Sequence, residues 1–160
     1  MILLGHNLLR DLTAWVKSEE AIEAAVWFGS NVRKGGNSAL VDDWSDFDIH
    51  IITTAPKRFE RINWVELLPS AGFCLQTVRP ATAGARKITA LFTSGQADLV
   101  IIPVGLARRW RFARNAGKRR LHMQTALYEV HMCSRTGYRF LKGEKVWGDF
   151  YRRVLSGMTG

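Results

Sequence analysis

Apolar and polar positions alternate in several distinct rhythms along this chain, and the rhythms mark its elements. Between Asn7 and Lys17, Leu8, Leu12, Trp15 and Val16 fall on one helical stripe, which predicts an amphipathic helix ended by Ser18-Glu19-Glu20. IEAAVWF, Ile22 to Phe28, is almost continuously apolar and reads as a buried strand running into Gly29. Ser30 to Ser45 is polar and contains glycine, which predicts a loop. SDFDIHIIT then alternates, with Phe47, Ile49 and Ile51 on one side and Asp46, Asp48 and His50 on the other. A period of two predicts a strand with one polar face at its start.

Pro56, with Thr54 as a candidate cap, opens a helix that Phe59, Ile62 and Val65 carry to about Leu68, where Pro69 and Gly72 stop it. FCLQTVR and ITALFTS read as strands, and Pro80 to Lys87 between them reads as a loop. Gly95-Gln96 reads as a tight turn into ADLVIIPV, and a turn so short makes the strands on either side antiparallel. Beyond Pro103 the pattern becomes helical and basic: a helical stretch over Leu121 to Cys133, then a strand, turn and helix over YRFLKGEKVWGDFYRRVL. The elements add up to an α+β domain, a mixed sheet with helices on one side.

Length and composition narrow the class without changing this outline. The 160 residues suit one domain, and 47% apolar residues are enough for a packed core. No apolar run approaches the roughly 20 residues that span a bilayer. The N-terminus is apolar but carries no leading basic cluster and no small-residue cleavage site. Cys74 and Cys133 belong to no metal-binding or redox spacing. Together these features predict a cytoplasmic protein with two reduced, partly buried thiols.

Charge adds a partner class. Residues 1–107 hold ten Lys/Arg and eleven Asp/Glu, whereas residues 108–160 hold thirteen Lys/Arg and three Asp/Glu. The densest run is RRWRFARNAGKRR, Arg108 to Arg120. A basic C-terminal third points to a polyanion such as a nucleoside triphosphate, a nucleic acid or an acidic protein face, or else to a solvated helix surface. Nucleic acid ranks last, because Trp110 and Phe112 are the only stacking platforms in the run.

Three features carry candidate chemistry. Gly29-Ser30 ends an apolar strand, where glycine lets the backbone bend and approach a ligand, and the next amides and the Ser30 hydroxyl can donate to phosphate oxygens. Asp46 and Asp48 project from one face of a strand, where the mutual repulsion of two carboxylates is relieved by a divalent cation. Asp98 is the only acid between Ile88 and Val104 and stands at the mouth of a buried strand. If the two strands pair, the three carboxylates meet at one sheet edge, an arrangement suited to two Mg²⁺ ions. His50 shares the face of the aspartate pair and reads first as a structural histidine. His122 and His131 have no acid partner, and Trp44 is placed to border a nucleotide pocket.

Gly29-Ser30, Asp46-x-Asp48 opening a strand and a later strand bearing Asp98 together resemble the DNA polymerase β-like nucleotidyltransferases. WFGSN…DDWSDFDIHI followed by ALFTSGQADLVIIP, within residues 22–105, is similar to the nucleotidyltransferase domain of the streptomycin (aminoglycoside 6-) adenylyltransferases. The resemblance implies a polymerase β-like palm in which Gly29 and Ser30 grip the phosphates of ATP or another nucleoside triphosphate. Asp46, Asp48 and Asp98 would hold two Mg²⁺ ions. AMP would pass to a hydroxyl acceptor, an aminoglycoside-like small molecule or a protein side chain, with release of pyrophosphate. On charge alone, Lys87 or Arg86 is a further phosphate contact.

Two departures from the pattern stand out. Asn31 occupies the position where the antibiotic enzymes carry arginine. Those enzymes also have a large helical second domain that closes over the substrate and supplies a base. Here the expectation is a nucleotidyltransferase core over residues 1–105 with a basic extension over 106–160 packed on it, the second domain being largely absent. Acceptor pocket and base would then come from a partner protein, from a second copy of the chain, or from a different arrangement. The competing reading is a minimal nucleotidyltransferase-fold antitoxin or binding protein that acts with a partner chain.

Overall fold

The stripe of Leu8, Leu12, Trp15 and Val16 lies on one side of helix α1 (Leu4–Ser18), and all four side chains are buried. The computed structural model describes residues 4–29, 32, 46–115, 130–132 and 137–157. Ser30, Asn31, Trp44, Ser45, His122, Cys133 and the stretch 121–129 therefore lie outside the described residues.

The remaining elements follow in order: β1 (Ile22–Phe28), β2 (Asp46–Thr53), α2 (Pro56–Phe59), α3 (Trp64–Leu67), β3 (Phe73–Pro80), β4 (Arg86–Phe92), β5 (Gly95–Pro103), α4 (Val104–Asn115), β6 (Tyr138–Lys142) and α5 (Glu144–Gly157). The strands form one mixed sheet in the order β3-β4-β5-β2-β1-β6. β2 and β5 run parallel, and every other neighbouring pair is antiparallel. The aspartate-bearing strands β2 and β5 therefore lie at the centre of the sheet. The expected meeting of carboxylates at a sheet edge is corrected to the N-terminal ends of two inner strands. No described helix is long and apolar enough to cross a membrane.

Helices cover both faces, which corrects the expectation of helices on one side. On the first face α1, Phe59 of α2 and Trp64 of α3 pack on Trp27, Phe47, Ile49, Ile51, Leu99 and Ile101. On the second, Ala107 and Trp110 of α4 and Trp147, Phe150, Tyr151 and Val154 of α5 pack on Val26, Phe28, Ile52 and Ile102. The physical reason is visible in β1: Ala24, Val26 and Phe28 alternate with Ala25 and Trp27, so both of its faces are apolar and both need cover. Two cations of the basic third take part in this packing. Arg108 pairs with Glu23 at 3.1 Å, and the Arg111 guanidinium lies 4.3 Å over the Trp147 ring.

Five local expectations also change. The helix expected from Pro56 to Leu68 is two single turns. Asn63 accepts from the Glu66 amide at 3.4 Å and so caps a new helix, while Gln76 Nε2 donates to Glu60 O at 3.0 Å and holds the break. Thr54 is not the cap of α2; the Ala55 amide donates to Thr53 Oγ1 at 3.0 Å instead. The hairpin turns at Thr93-Ser94, so Gly95 already belongs to β5. Arg86 and Lys87 are strand residues of β4 rather than loop residues, and Cys74 on edge strand β3 is exposed rather than partly buried.

Gly143 joins β6 to α5 with φ +81°, where a Cβ would run into the Glu23 carbonyl oxygen and Ala24. A left-handed backbone and a collision with a neighbouring strand together put the cost of Gly143→Ala at about 3 kcal/mol. Urea denaturation checks this, with Gly105→Ala as the control, because a Cβ there meets open space and the change is expected to leave stability intact.

Candidate active site

Strand register assembles the site. Reading across the sheet, Thr89 of β4 stands beside Asp98 of β5, and Asp98 beside Asp48 of β2, which in turn is opposite Phe28 of β1. Neighbouring strands lie about 4.8 Å apart, so Asp48 and Asp98 are adjacent carboxyls on one face. Asp46 pairs with Gln96 and stands one side-chain step further out on that face. The face is the one covered by α4, and a cavity of 460 Å³ lies over it, lined by Gly29, Asp48 and Lys87 among others.

The two central carboxyls are held differently. Thr89 Oγ1 donates to Asp98 Oδ1 at 2.6 Å, and Lys87 Nζ lies 3.3 Å from Asp98 Oδ2, so each oxygen of Asp98 has a partner. Asp48 has no hydrogen bond or ion pair among the described residues, and as a whole residue it is exposed. Its carboxyl nevertheless holds its proton more tightly than an ordinary aspartate. Loss of water against the cavity wall is the first cause, the neighbouring Asp98 charge the second, and Lys87 opposes both. Asp48 is thus a carboxylate open to solvent whose proton is held by burial and by the Asp98 charge, which Lys87 only partly offsets.

The three aspartates do not form a closed metal cage. Among the described residues no group of three His, Cys, Asp or Glu is compact enough to hold a metal ion. What the fold brings together is the Asp48–Asp98 pair, with Asp46 one step away. Such a donor set still fits Mg²⁺, which is commonly held by one or two carboxylates together with the phosphates of a substrate.

Gly29 takes φ +112° at the end of β1, and none of the described residues meets the position where its Cβ would point. A backbone open in this way admits close approach of a ligand. The partner expected beside it, Ser30, is outside the described residues. Lys87, foreseen as a loop residue, is fixed on β4 by its pairing with Arg79 and Val100 and points at Asp98.

Two residues gain importance beyond the sequence reading. His50 is 7% exposed and lines the same cavity, its ring meeting Phe28 edge-on at 4.2 Å between centroids. Burial, helped by Lys87, drops its pKa to about 3, so it is neutral at physiological pH. Thr89, which orients Asp98, carried no motif. Only the hairpin register reveals it, and placing the turn two residues too late hid it.

No family model matches the chain, and none of the curated proteins matches it. Among solved structures it is similar to the Cid1 poly(U) polymerase at 19% identity and a TM-score of 0.39, over 80% of this chain and 39% of that one. The chain thus spans well under half the length of that polymerase chain, and the likeness is too distant to bear on function.

Proposed function

We propose that this chain is a metal-dependent nucleotidyltransferase that passes a nucleoside monophosphate, AMP by its sequence resemblance, from a nucleoside triphosphate to a hydroxyl acceptor. One observation carries the reading: Asp48 and Asp98 stand side by side, in register, beneath a cavity large enough for a small molecule. Mg²⁺ bound there would draw charge from the phosphate oxygens and stabilise both the entering and the leaving oxygen. Asp48, without a partner among the described residues, would be its first ligand, with Asp98 beside it and Asp46 toward solvent. Thr89 keeps the Asp98 carboxylate in place. Lys87 has three donors and spends one on Asp98, which leaves two for a phosphate oxygen. The open backbone at Gly29 leaves room for a phosphate at the end of β1, and Ser30, the next residue in the sequence, would be the donor there.

The test is pyrophosphate release from each of the four nucleoside triphosphates, with Mg²⁺ or EDTA, in the presence of aminoglycosides or of candidate partner proteins. Release that needs both Mg²⁺ and an acceptor is the expected result. Tight binding of Mg²⁺ and nucleotide with no turnover for any acceptor would leave the binding-protein reading in its place.

A further inference from the structure

The row of side chains one step beyond the aspartates carries an unmatched charge. Lys87 of β4 and Arg79 of β3 are direct cross-strand partners, so they share a face, and Lys87 reaches Asp98 on the cavity side. Both line the cavity. Like charges directly opposite each other in a sheet repel. Asp98 answers Lys87 at 3.3 Å, whereas the guanidinium of the exposed Arg79 has no ion pair and no hydrogen bond among the described residues. Pro80, Ala81, Ala85 and Val100 line the cavity on this side, and none of them can neutralise a cation. Strand order says which reactant would meet the charge. In the sequence β3-β4-β5-β2-β1, Asp98 and Asp48 lie between Arg79 on one side and Gly29 on the other. The strand of Arg79 is two spacings, about 10 Å, from that of Asp98 and three, about 14 Å, from that of Asp48. A triphosphate that runs from Asp48 toward the open backbone at Gly29 extends away from Arg79. The part of the cavity beyond Asp98 is left for the other reactant.

We infer that the acceptor is a small molecule with an oxyanion, a phosphate or a carboxylate, as well as its reacting hydroxyl, and that Arg79, with Lys87 beside it, holds the oxyanion while the hydroxyl lies over Asp98. The inference rests on the nucleotidyl-transfer reading and narrows it, because a polycationic aminoglycoside would meet two like charges on this side of the cavity. A guanidinium presents a planar fork of donors that matches two oxygens of a carboxylate or a phosphate at once. Lys87 adds a point charge from the neighbouring strand. In the transfer itself the acceptor's hydroxyl oxygen bonds to the α-phosphorus, and the bond from that phosphorus to the bridging oxygen breaks. Pyrophosphate leaves with the electron pair, and the hydroxyl proton passes to solvent.

Calorimetry on the whole chain with ribose, ribose 5-phosphate and ribonate tests the inference. At least one of the two anions should bind while ribose does not, and the one that binds tells phosphate from carboxylate. Mg²⁺ with a non-hydrolysable nucleotide should leave that anion bound. Arg79→Gln should weaken it about tenfold or more, Arg79→Lys should restore part of the loss, and Arg61→Ala, an arginine beside the opposite face, should change nothing. Because Arg79 is exposed and stands opposite a like charge, Arg79→Gln should melt no lower than the wild type. In turnover the same variant should raise KM for the anionic acceptor and leave KM for the nucleotide unchanged. No heat with either anion overturns the inference, as does equal affinity in Arg79→Gln. So does displacement of the anion by the nucleotide, which would give both cations to the triphosphate. Turnover of an aminoglycoside with the same KM in wild type and Arg79→Gln sinks this inference and leaves nucleotidyl transfer standing. Anion binding that depends on Arg79, with no pyrophosphate release for any acceptor, sinks the transferase reading and leaves the oxyanion site standing.

Discussion

Asp48→Asn lowers Mg²⁺-dependent pyrophosphate release by about a thousandfold or more while leaving the protein folded. The size follows from the several kcal/mol that a metal contributes to a phosphoryl transition state, each 1.36 kcal/mol being worth about tenfold in rate. Asn keeps the shape and removes the charge that binds the cation. The same change separates activity from stability. In the metal-free protein Asp48 has a raised pKa, so the native state holds its proton more tightly than the unfolded chain. Its contribution is favourable below the unfolded value of 3.8 and is lost as pH rises through the folded value. At neutral pH the ionised carboxylate is therefore a cost, and Asn removes it. Metal-free Asp48→Asn should melt no lower than the wild type at pH 7 and should lose part of the wild type's pH dependence near the carboxylate range. A variant that unfolds, or one that keeps its turnover, would contradict this account of the residue.

Trp64→Ala should cost about 4 kcal/mol, the range for a large aromatic removed from a core, against a total stability of about 5–15 kcal/mol for an ordinary domain. Trp64 is 1% exposed. Its ring meets Trp15 edge-on at 5.3 Å and Phe92 at 5.5 Å, tying α1 and β4 together through α3. Its Nε1–H donates to Gln76 Oε1 at 2.5 Å, so the change also strips a partner from β3. Because this cluster covers the face opposite the cavity, nucleotide affinity per folded molecule should hold while the urea midpoint falls steeply. Trp64→Phe, which keeps most of the packing and loses the hydrogen bond, should fall by less than half as much. Equal losses for both would mean that the hydrogen bond rather than the packing dominates.

Much of the site was legible because strands advertise themselves at short range. A period of two is enough to place Asp46, Asp48 and His50 on one face and Phe47, Ile49 and Ile51 on the other, and burial follows that division except at His50, which is buried. The isolation of Asp98 in an apolar run marked it equally well. That His50 packs edge-on against Phe28 was not legible, since a lone histidine on a strand carries no signal of what lies opposite. Trp110 was counted in a basic helix as a stacking platform, and nothing in RRWRF says that its indole turns inward over β2 and β5.

The sequence by itself determined which segments are strands and which faces of β2 and β5 are polar, because local periodicity dictates where each side chain points before any partner is present. The tertiary structure alone decided that β2 and β5 lie side by side and parallel with Asp48 beside Asp98, and that Lys87 reaches Asp98. It alone decided that helices close both faces and that His50 and Trp110 come to the lining of one cavity. Those outcomes depend on pairing between strands 50 residues apart and on how α4 packs across them. Chain-distant contacts of that kind are selected by the summed burial of the whole sheet rather than by any local pattern.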